Sequence, residues 1–396
     1  MRVRPIVWIN AALALPAVIS LYAGFRNALS RSQDFQWSGA YLTLHRIDPY
    51  RQFLNHDPDH RILLSQTPNY LHELYLLLLP LGALSFSHAK PLWAALNCLF
   101  AVSCVFLLRR IYDLPRSHAL LLLLLLFAST PFRIVVGNGQ QSLLELLFFC
   151  LIFYFTRPTG QGVALGLSYS KYSFSPVVFL YLLFRRRFRV LAISFIPALA
   201  GLLVMALLVH RGPVTLSVEP LLVSRNGVGA GLGDLMTIIQ TEVQAVLPES
   251  IVGKLMYAAA LGASVVCAFL LSRRESPNLR SDAAALAVAN LMFFTHLTYD
   301  YVFLALPLAS VLAVPAQKAK TGILAAIALL WFGIKLVPQN LPPAILLAEQ
   351  LFVFFLLGSI LFLLNKIERT PRSKPSIHQN LHSRQEQTST RDLLHS

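Results

Sequence analysis

The sequence predicts an all-α, polytopic membrane helix bundle, and three observations carry that prediction. Of 396 residues, 56% are hydrophobic and 13% charged, whereas soluble domains carry about 25% charged residues. The mean hydropathy is +0.61. Apolar runs near the length of a bilayer crossing recur along the chain. The reading is one integral domain over residues 1–366, with about 11 to 13 spans and two long outer loops. A polar segment, 367–396, follows it.

The elements follow in order. Arg2 and Arg4 precede an apolar run from Pro5 to about Phe25, longer than the core of a cleaved signal peptide. It reads as an uncleaved first span with its basic end in the cytoplasm. Further spans are expected at 69–86, 91–110, 118–136, 142–156, 162–184, 188–209, 252–272, 282–297, 300–315, 320–337 and 343–365. Two interruptions stand out, 26–68 and 210–251, the second containing Gly227, Gly229, Gly231 and Gly233. Interruptions of that length in a compact protein are usually functional or disordered. The tail from about Glu368, rich in Ser, Gln, Arg and His, reads as disordered and cytoplasmic.

The formal net charge is +15. Lys and Arg cluster in short runs between apolar segments, as the positive-inside rule expects, and no basic patch lies outside that pattern. Nucleic acid is therefore not an expected partner; membrane lipids are. Arg185-Arg186-Arg187-Phe188-Arg189 marks a cytoplasmic turn. Arg273-Arg274, Lys318/Lys320 and the region after Lys366 agree. Alternating passes then put both long interruptions on the outer side. Arg109, Arg110 and Arg116 conflict with this scheme: one span is re-entrant, or that cluster has another role. Cys98, Cys104, Cys150 and Cys267 all fall in apolar segments without metal-ligand spacing and read as buried apolar cysteines. Nucleotide-loop, dinucleotide, zinc-protease and serine-hydrolase motifs are absent.

Several polar residues stand out in a chain with only 18 acids. Asp34 lies in Asp34-Phe35-Gln36-Trp37-Ser38-Gly39-Ala40-Tyr41. On a helix, Trp37 and Tyr41 follow it at one and two turns, either as an interfacial anchor or as a platform for a sugar ring. Asp48-Pro49-Tyr50 is a turn signal, and His45, Arg46 and Arg51 nearby are placed to meet lipid phosphates. Glu73 and Glu145 fall at or inside apolar runs, where ionisable groups face a cavity or a partner. Lys171 sits midway along an apolar segment, five residues before Pro176. A proline there breaks the helix, and a lysine at the break is a compact charge for a phosphate. Arg133 is a second phosphate candidate. Asn138-Gly139-Gln140-Gln141 supplies amides for sugar or phosphate, with a plain helix–helix turn as the alternative. His296-Leu297-Thr298-Tyr299-Asp300-Tyr301 gathers His, Asp and Tyr at a span boundary, as a polar pocket or as interfacial aromatics with a capping Asp.

Four elements occur in a telling order: Asp34-Phe35-Gln36-Trp37 with Asp48-Pro49-Tyr50, Gly137-Asn138-Gly139-Gln140, Gly166-Leu167-Ser168-Tyr169-Ser170-Lys171 running into an Arg-rich end, and Tyr299-Asp300 leading to Pro307. Over roughly residues 5–315 the chain resembles glycosyltransferase family 87, the polyprenol-phosphate-mannose-dependent membrane mannosyltransferases of the C-type superfamily. The resemblance implies a polyprenyl-phosphate-linked hexose donor, mannose being the expected sugar, and a lipid or glycan acceptor. It also implies inversion at the anomeric carbon, no cofactor or metal, and an acidic base in the first outer loop, for which Asp34 is the matching position. The setting is a bacterial inner membrane with the site on its outer side. Lys171 carries over less firmly by motif. Arg133, His45, Trp37, Tyr41, Gln140, His296 and Asp300 are substrate-binding candidates on their chemistry. The chain departs from the pattern at Ser170-Lys171-Tyr172, where relatives have Tyr-Lys-Pro, and at Trp37-Ser38, where two aromatics are common. A secondary transporter or flippase using Glu145, Lys171 and Asp300 is the competing reading.

Overall fold

The computed structural model describes residues 5–32, 36–57, 67–227, 231–244, 247–274, 279–314, 318–333 and 343–369. It is helical throughout, with no strand among the described residues. The first interruption carries two short helices after α1 (Pro5–Arg31), namely α2 (Trp37–Leu44) and α3 (Pro49–Leu54). Then come α4 (His72–Gly82), α5 (Phe86–Ile111), α6 (Arg116–Ala128), α7 (Thr130–Asn138), α8 (Ser142–Tyr154) and α9 (Pro158–Leu167). A 3-10 turn, Ser168–Phe174, leads to α10 (Pro176–Phe184) and α11 (Phe188–Leu208). The second interruption holds α12 (Pro213–Gly227) and α13 (Leu235–Val243). The remainder is α14 (Glu249–Ser272), α15 (Leu279–Phe293), a second 3-10 turn Thr298–Leu304, α16 (Ala305–Leu312), α17 (Lys318–Ala328), a π turn Leu329–Gly333 and α18 (Pro343–Arg369).

The polytopic class holds, and the span list is refined. Five helices among the described residues, α1, α5, α11, α14 and α18, are long and apolar enough to cross alone. A sixth crossing results if α6 and α7, bent by 60°, count as one broken span. The other expected spans are shorter apolar helices or broken pairs. A hydropathy window registers two half-helices as one span, so it cannot see the breaks. Here Ser129-Thr130-Pro131 and the serine run before Pro176 supply them. The α6–α7 bend falls in the segment where the Arg109, Arg110 and Arg116 charges conflict with simple alternation. Exposed apolar side chains such as Trp8 and Leu15 on α1, Leu270 on α14 and Phe362 on α18 suit a lipid-facing rim.

Small residues let the helices close. A Cβ at Gly166 of α9 would stand 2.3 Å from the Ser194 carbonyl oxygen of α11, and one at Gly162 would stand 2.6 Å from Ile193. A Cβ at Gly201 of α11 would stand 2.9 Å from the Glu73 backbone nitrogen of α4. Such glycine contacts let membrane helices approach where water gives no driving force. The main core is built on α15, where Ala283 to Ala289 are fully buried, and on Val302 to Ala305. A second core joins Trp37 and Tyr50 from the first interruption, Leu74 and Tyr75 of α4, and Leu216 and Val223 from the second. The described parts of both interruptions therefore pack as helical elements over the same end of the bundle.

Two contacts orient that bundle. The Arg185 guanidinium donates to the Ser272 carbonyl at 3.2 Å, so the Arg-rich turns after α10 and α14 share one end. Arg211 lies 3.5 Å from Asp48, so the two interruptions meet. α11, with 21 residues between Arg187 and Val209, separates these ends by roughly 30 Å. Residues 370–396, and with them nearly all of the expected tail, lie outside the described residues; α18 continues to Arg369.

Candidate functional site

Lys171 stands where a span is cut. α9 stops at Leu167 because half of the next residues, Ser168 to Ser175, are serine, and Pro176 lacks the N–H that would continue the ladder. The serines turn back on freed carbonyls: Ser168 Oγ donates to Leu165 O at 2.7 Å, and Ser175 Oγ to Tyr172 O at 3.3 Å. Lys171 itself leaves helical geometry, at φ −114°, ψ 80°. Irregular backbone at membrane depth is tolerated where protein encloses it.

Two other chain reversals meet this break. α7 ends on Gly139, whose φ of 78° is the left-handed conformation that favours glycine. The chain then restarts as α8, so the α8 N-terminus, at Ser142, faces the site. The third is the segment after α15, which carries His296 and opens the second 3-10 turn. Asp300, 2% exposed at its side chain, is the junction of all three. Its Oδ1 accepts from Lys171 Nζ at 2.5 Å and from Ser142 Oγ at 2.5 Å. Its Oδ2 accepts the Leu297 N–H at 3.2 Å and lies 3.2 Å from His296 Nδ1. The tautomer with the proton on Nδ1 satisfies that contact. The Lys171 ammonium also lies 5.1 Å from the Phe174 ring centre and 5.0 Å from that of Tyr299, within cation–π range.

Ser170 extends the cluster. Its hydroxyl donates to Glu145 Oε1 of α8, and its carbonyl accepts the Leu71 N–H at 3.0 Å just before α4. The second interruption closes over His296. Leu232 N–H donates to His296 O at 2.8 Å, His296 N–H to Asp234 Oδ2 at 3.4 Å, and Tyr301 Oη to Leu232 O at 2.6 Å. Asp234 caps α13 through Thr237. Burial pushes its carboxyl above the usual carboxylate range, against those hydrogen bonds and nearby His296.

The structure thus brings Lys171, His296 and Asp300 together as one constellation, with Gln140 buried two residues before Ser142. Arg133, on α7, is half-buried and has no ion pair among the described residues. α7 packs against α1 and against the turn that carries Asp300. Trp37 and Tyr41 of α2 and His45 just after it form a separate row, the first pair stacked at 4.9 Å between ring centres and the second tilted at 4.2 Å. The Trp37 indole N–H is shared between Leu81 O and Leu84 O. The row therefore anchors α2 to the end of α4. Asp34 lies outside the described residues. Of its described neighbours, Ser32 Oγ donates to Asn138 O at 2.9 Å, and Gln36 accepts from Tyr75 Oη at 3.2 Å. The hydroxyls of Ser142 and Ser170 are site members that reading the sequence passed over. The helix start after Gly139 was the available signal for Ser142. Nothing local marked Ser170.

Apolar helices interrupted by a buried, charged, hydrogen-bonded centre define a polytopic membrane protein with a site inside its helix bundle. A sequence model of glycosyltransferase family 87 matches residues 74–294, more than half of the chain, and the protein belongs to that family. It is therefore a membrane glycosyltransferase. The match covers α4 to α15, including Ser142, Glu145 and Lys171, and stops just before His296 and Asp300. No curated protein and no solved structure matches the chain.

Proposed function

We propose that the protein moves a hexose, mannose in the first instance, from a polyprenyl-phosphate donor to a hydroxyl of a lipid or glycan acceptor on the outer membrane face. The observation that carries this reading is Lys171: a cation at a cut in an apolar span, beside the N-terminus of α8. Both offer positive potential, the ammonium with a charge that Asp300 shares and the helix end through its free N–H groups. A departing lipid phosphate needs that potential as the glycosidic bond lengthens. Asp300 holds the ammonium in place and the rings of Phe174 and Tyr299 flank it.

In the reaction the acceptor oxygen attacks the anomeric carbon from the face opposite the phosphate. The carbon–oxygen bond to phosphate breaks, the electron pair leaves on polyprenyl phosphate, and the acceptor proton passes to Asp34. One displacement inverts the anomeric centre. Asp34 enters as base from the family resemblance. The packing of both interruptions over one end of the bundle, opposite the Arg-rich turns, supports an outer location for it.

Purified protein given polyprenyl-phosphate-mannose and an acceptor is expected to release polyprenyl phosphate. Asp34→Asn is expected to cut turnover about 100- to 10,000-fold while donor binding persists. Undiminished turnover in that variant removes Asp34 from the role of base.

A further inference from the structure

Near Lys171, four buried side chains keep polar atoms without a hydrogen-bond partner among the described residues. They are both amide atoms of Gln141, Oε2 of Glu145, both carboxylate oxygens of Glu73, and Nε2 of His296. Gln141 and Glu145 are fully buried, and Glu73 and His296 nearly so. Unpaired polar atoms are costly in a protein interior, and a native site that collects several of them calls for a physical reason.

Ser170 ties the Glu145 side chain to the segment that leads into Glu73. Its hydroxyl fixes one oxygen of Glu145 and leaves the other unpaired. Its carbonyl takes the Leu71 N–H, two residues before Glu73. Gln141 lies one turn before Glu145 on the same face of α8, the Glu145 N–H donating to the Gln141 carbonyl at 3.0 Å. Glu145 is bonded to Ser170, the residue before Lys171, and Gln141 precedes Ser142, which shares Asp300 Oδ1 with Lys171, so both lie beside the ion pair. This chemistry selects a ligand. A hydrocarbon chain satisfies none of these atoms. Sugar hydroxyls, each a donor and an acceptor, match carboxyl oxygens and an amide that both donates and accepts.

We propose that Gln141 and Glu145 of α8, with Glu73 of α4, form the subsite that holds the hydroxyls of the donor's sugar ring beside the phosphate position at Lys171. The assignment rests on the donor reading above and gives Glu145, Glu73 and the Gln141 amide one shared role as a sugar subsite.

The test compares equilibrium binding of polyprenyl phosphate and polyprenyl-phosphate-mannose to purified full-length protein, alongside transfer kinetics. Glu145→Gln keeps an oxygen for the Ser170 hydroxyl and the side-chain volume while replacing the orphaned acceptor by a donor. Gln141→Ala removes the amide independently. Each is expected to weaken the mannose-loaded lipid by about 10- to 100-fold, the worth of a hydrogen bond to a charged or buried group, and to leave the bare lipid phosphate unaffected. KM for donor is expected to rise more than kcat falls. Lys171→Ala is expected to weaken both lipids. Variants that melt like the parent yet keep its preference for the loaded lipid overturn the subsite while transfer by the parent stands. Equal weakening of both lipids also overturns it. So does chelator-sensitive binding in the parent that Glu145→Gln abolishes, since the carboxylates would then hold a cation. A parent protein that ignores polyprenyl-phosphate hexoses overturns the donor reading together with the subsite.

Discussion

Two buried charge clusters in this protein use similar residues and behave differently. At the interrupted span, one carboxylate, Asp300, meets one ammonium, a serine hydroxyl, an imidazole and a backbone N–H. Charge is balanced, and Lys171 is only 14% exposed. Between the two interruptions, one guanidinium serves two carboxylates. Arg211 Nη2 lies 3.0 Å from Glu219 and Nε lies 3.5 Å from Asp48, and Arg211 is 27% exposed. Asp48 is further occupied as the cap of α3, accepting from Tyr50 N and Arg51 N. One negative charge is in surplus there. Burial first, and the Asp48 charge second, push the Glu219 carboxyl up to about 7, with Arg211 opposing. Stoichiometry and burial, more than residue type, decide which cluster is a fixed site element and which one titrates.

The largest test of that contrast is Lys171→Ala, which strands Asp300 as a buried charge. Loss of one partner of a buried pair costs about 3–5 kcal/mol, read as reduced unfolding stability in detergent or nanodiscs. Adding Asp300→Asn is expected to restore much of that stability without restoring sugar transfer. A stable single variant would mean that the Asp300 charge is compensated without Lys171. Ser142→Ala removes one donor to the same carboxylate and is expected to cost about 1.5–3 kcal/mol.

The cluster between the two interruptions responds to pH instead. A carboxyl whose folded pKa is raised keeps its proton in the native state after the unfolded chain has released it. Its contribution to stability therefore falls as pH rises from about 4.5 to about 7. Glu219→Gln is expected to flatten that part of the melting-temperature profile. The difference between the two proteins separates Glu219 from other nearby titrating groups, including His72, whose Nε2 lies 3.0 Å from Leu216 O. Identical profiles would mean that Glu219 titrates as an ordinary surface acid. The smallest effect belongs to Arg211→Lys, which keeps the charge and loses the two-pronged guanidinium. About 1 kcal/mol or less is expected, because the positive charge stays and only the second prong is lost.

Much of the site was legible piecemeal. Lys171 declared itself as a charge in an apolar run before a proline, and His296 with Asp300 as a polar group at a span boundary. Their union was not legible, because Lys171 and Asp300 are 129 residues apart and no local periodicity encodes a partner in another segment. Trp37 and Tyr41 fitted a sugar platform and a headgroup anchor equally well, and the bond from the indole to the end of α4 is a third use that neither reading named.

Composition and charge placement alone determined the all-α membrane class, the two interruptions and the Arg-rich turns. Hydrocarbon solvent forces apolar length and internally satisfied backbone onto any chain that crosses it. The serine run and Pro176 determined where one span breaks. Only tertiary packing decided that this break, the start of α8 and the turn after α15 converge on Asp300. It also decided that both interruptions fold as helices over one end. The physical reason is that close approach through Gly162, Gly166 and Gly201, and the pairing of charges that cannot be left alone in a low-dielectric interior, are properties of surfaces in contact.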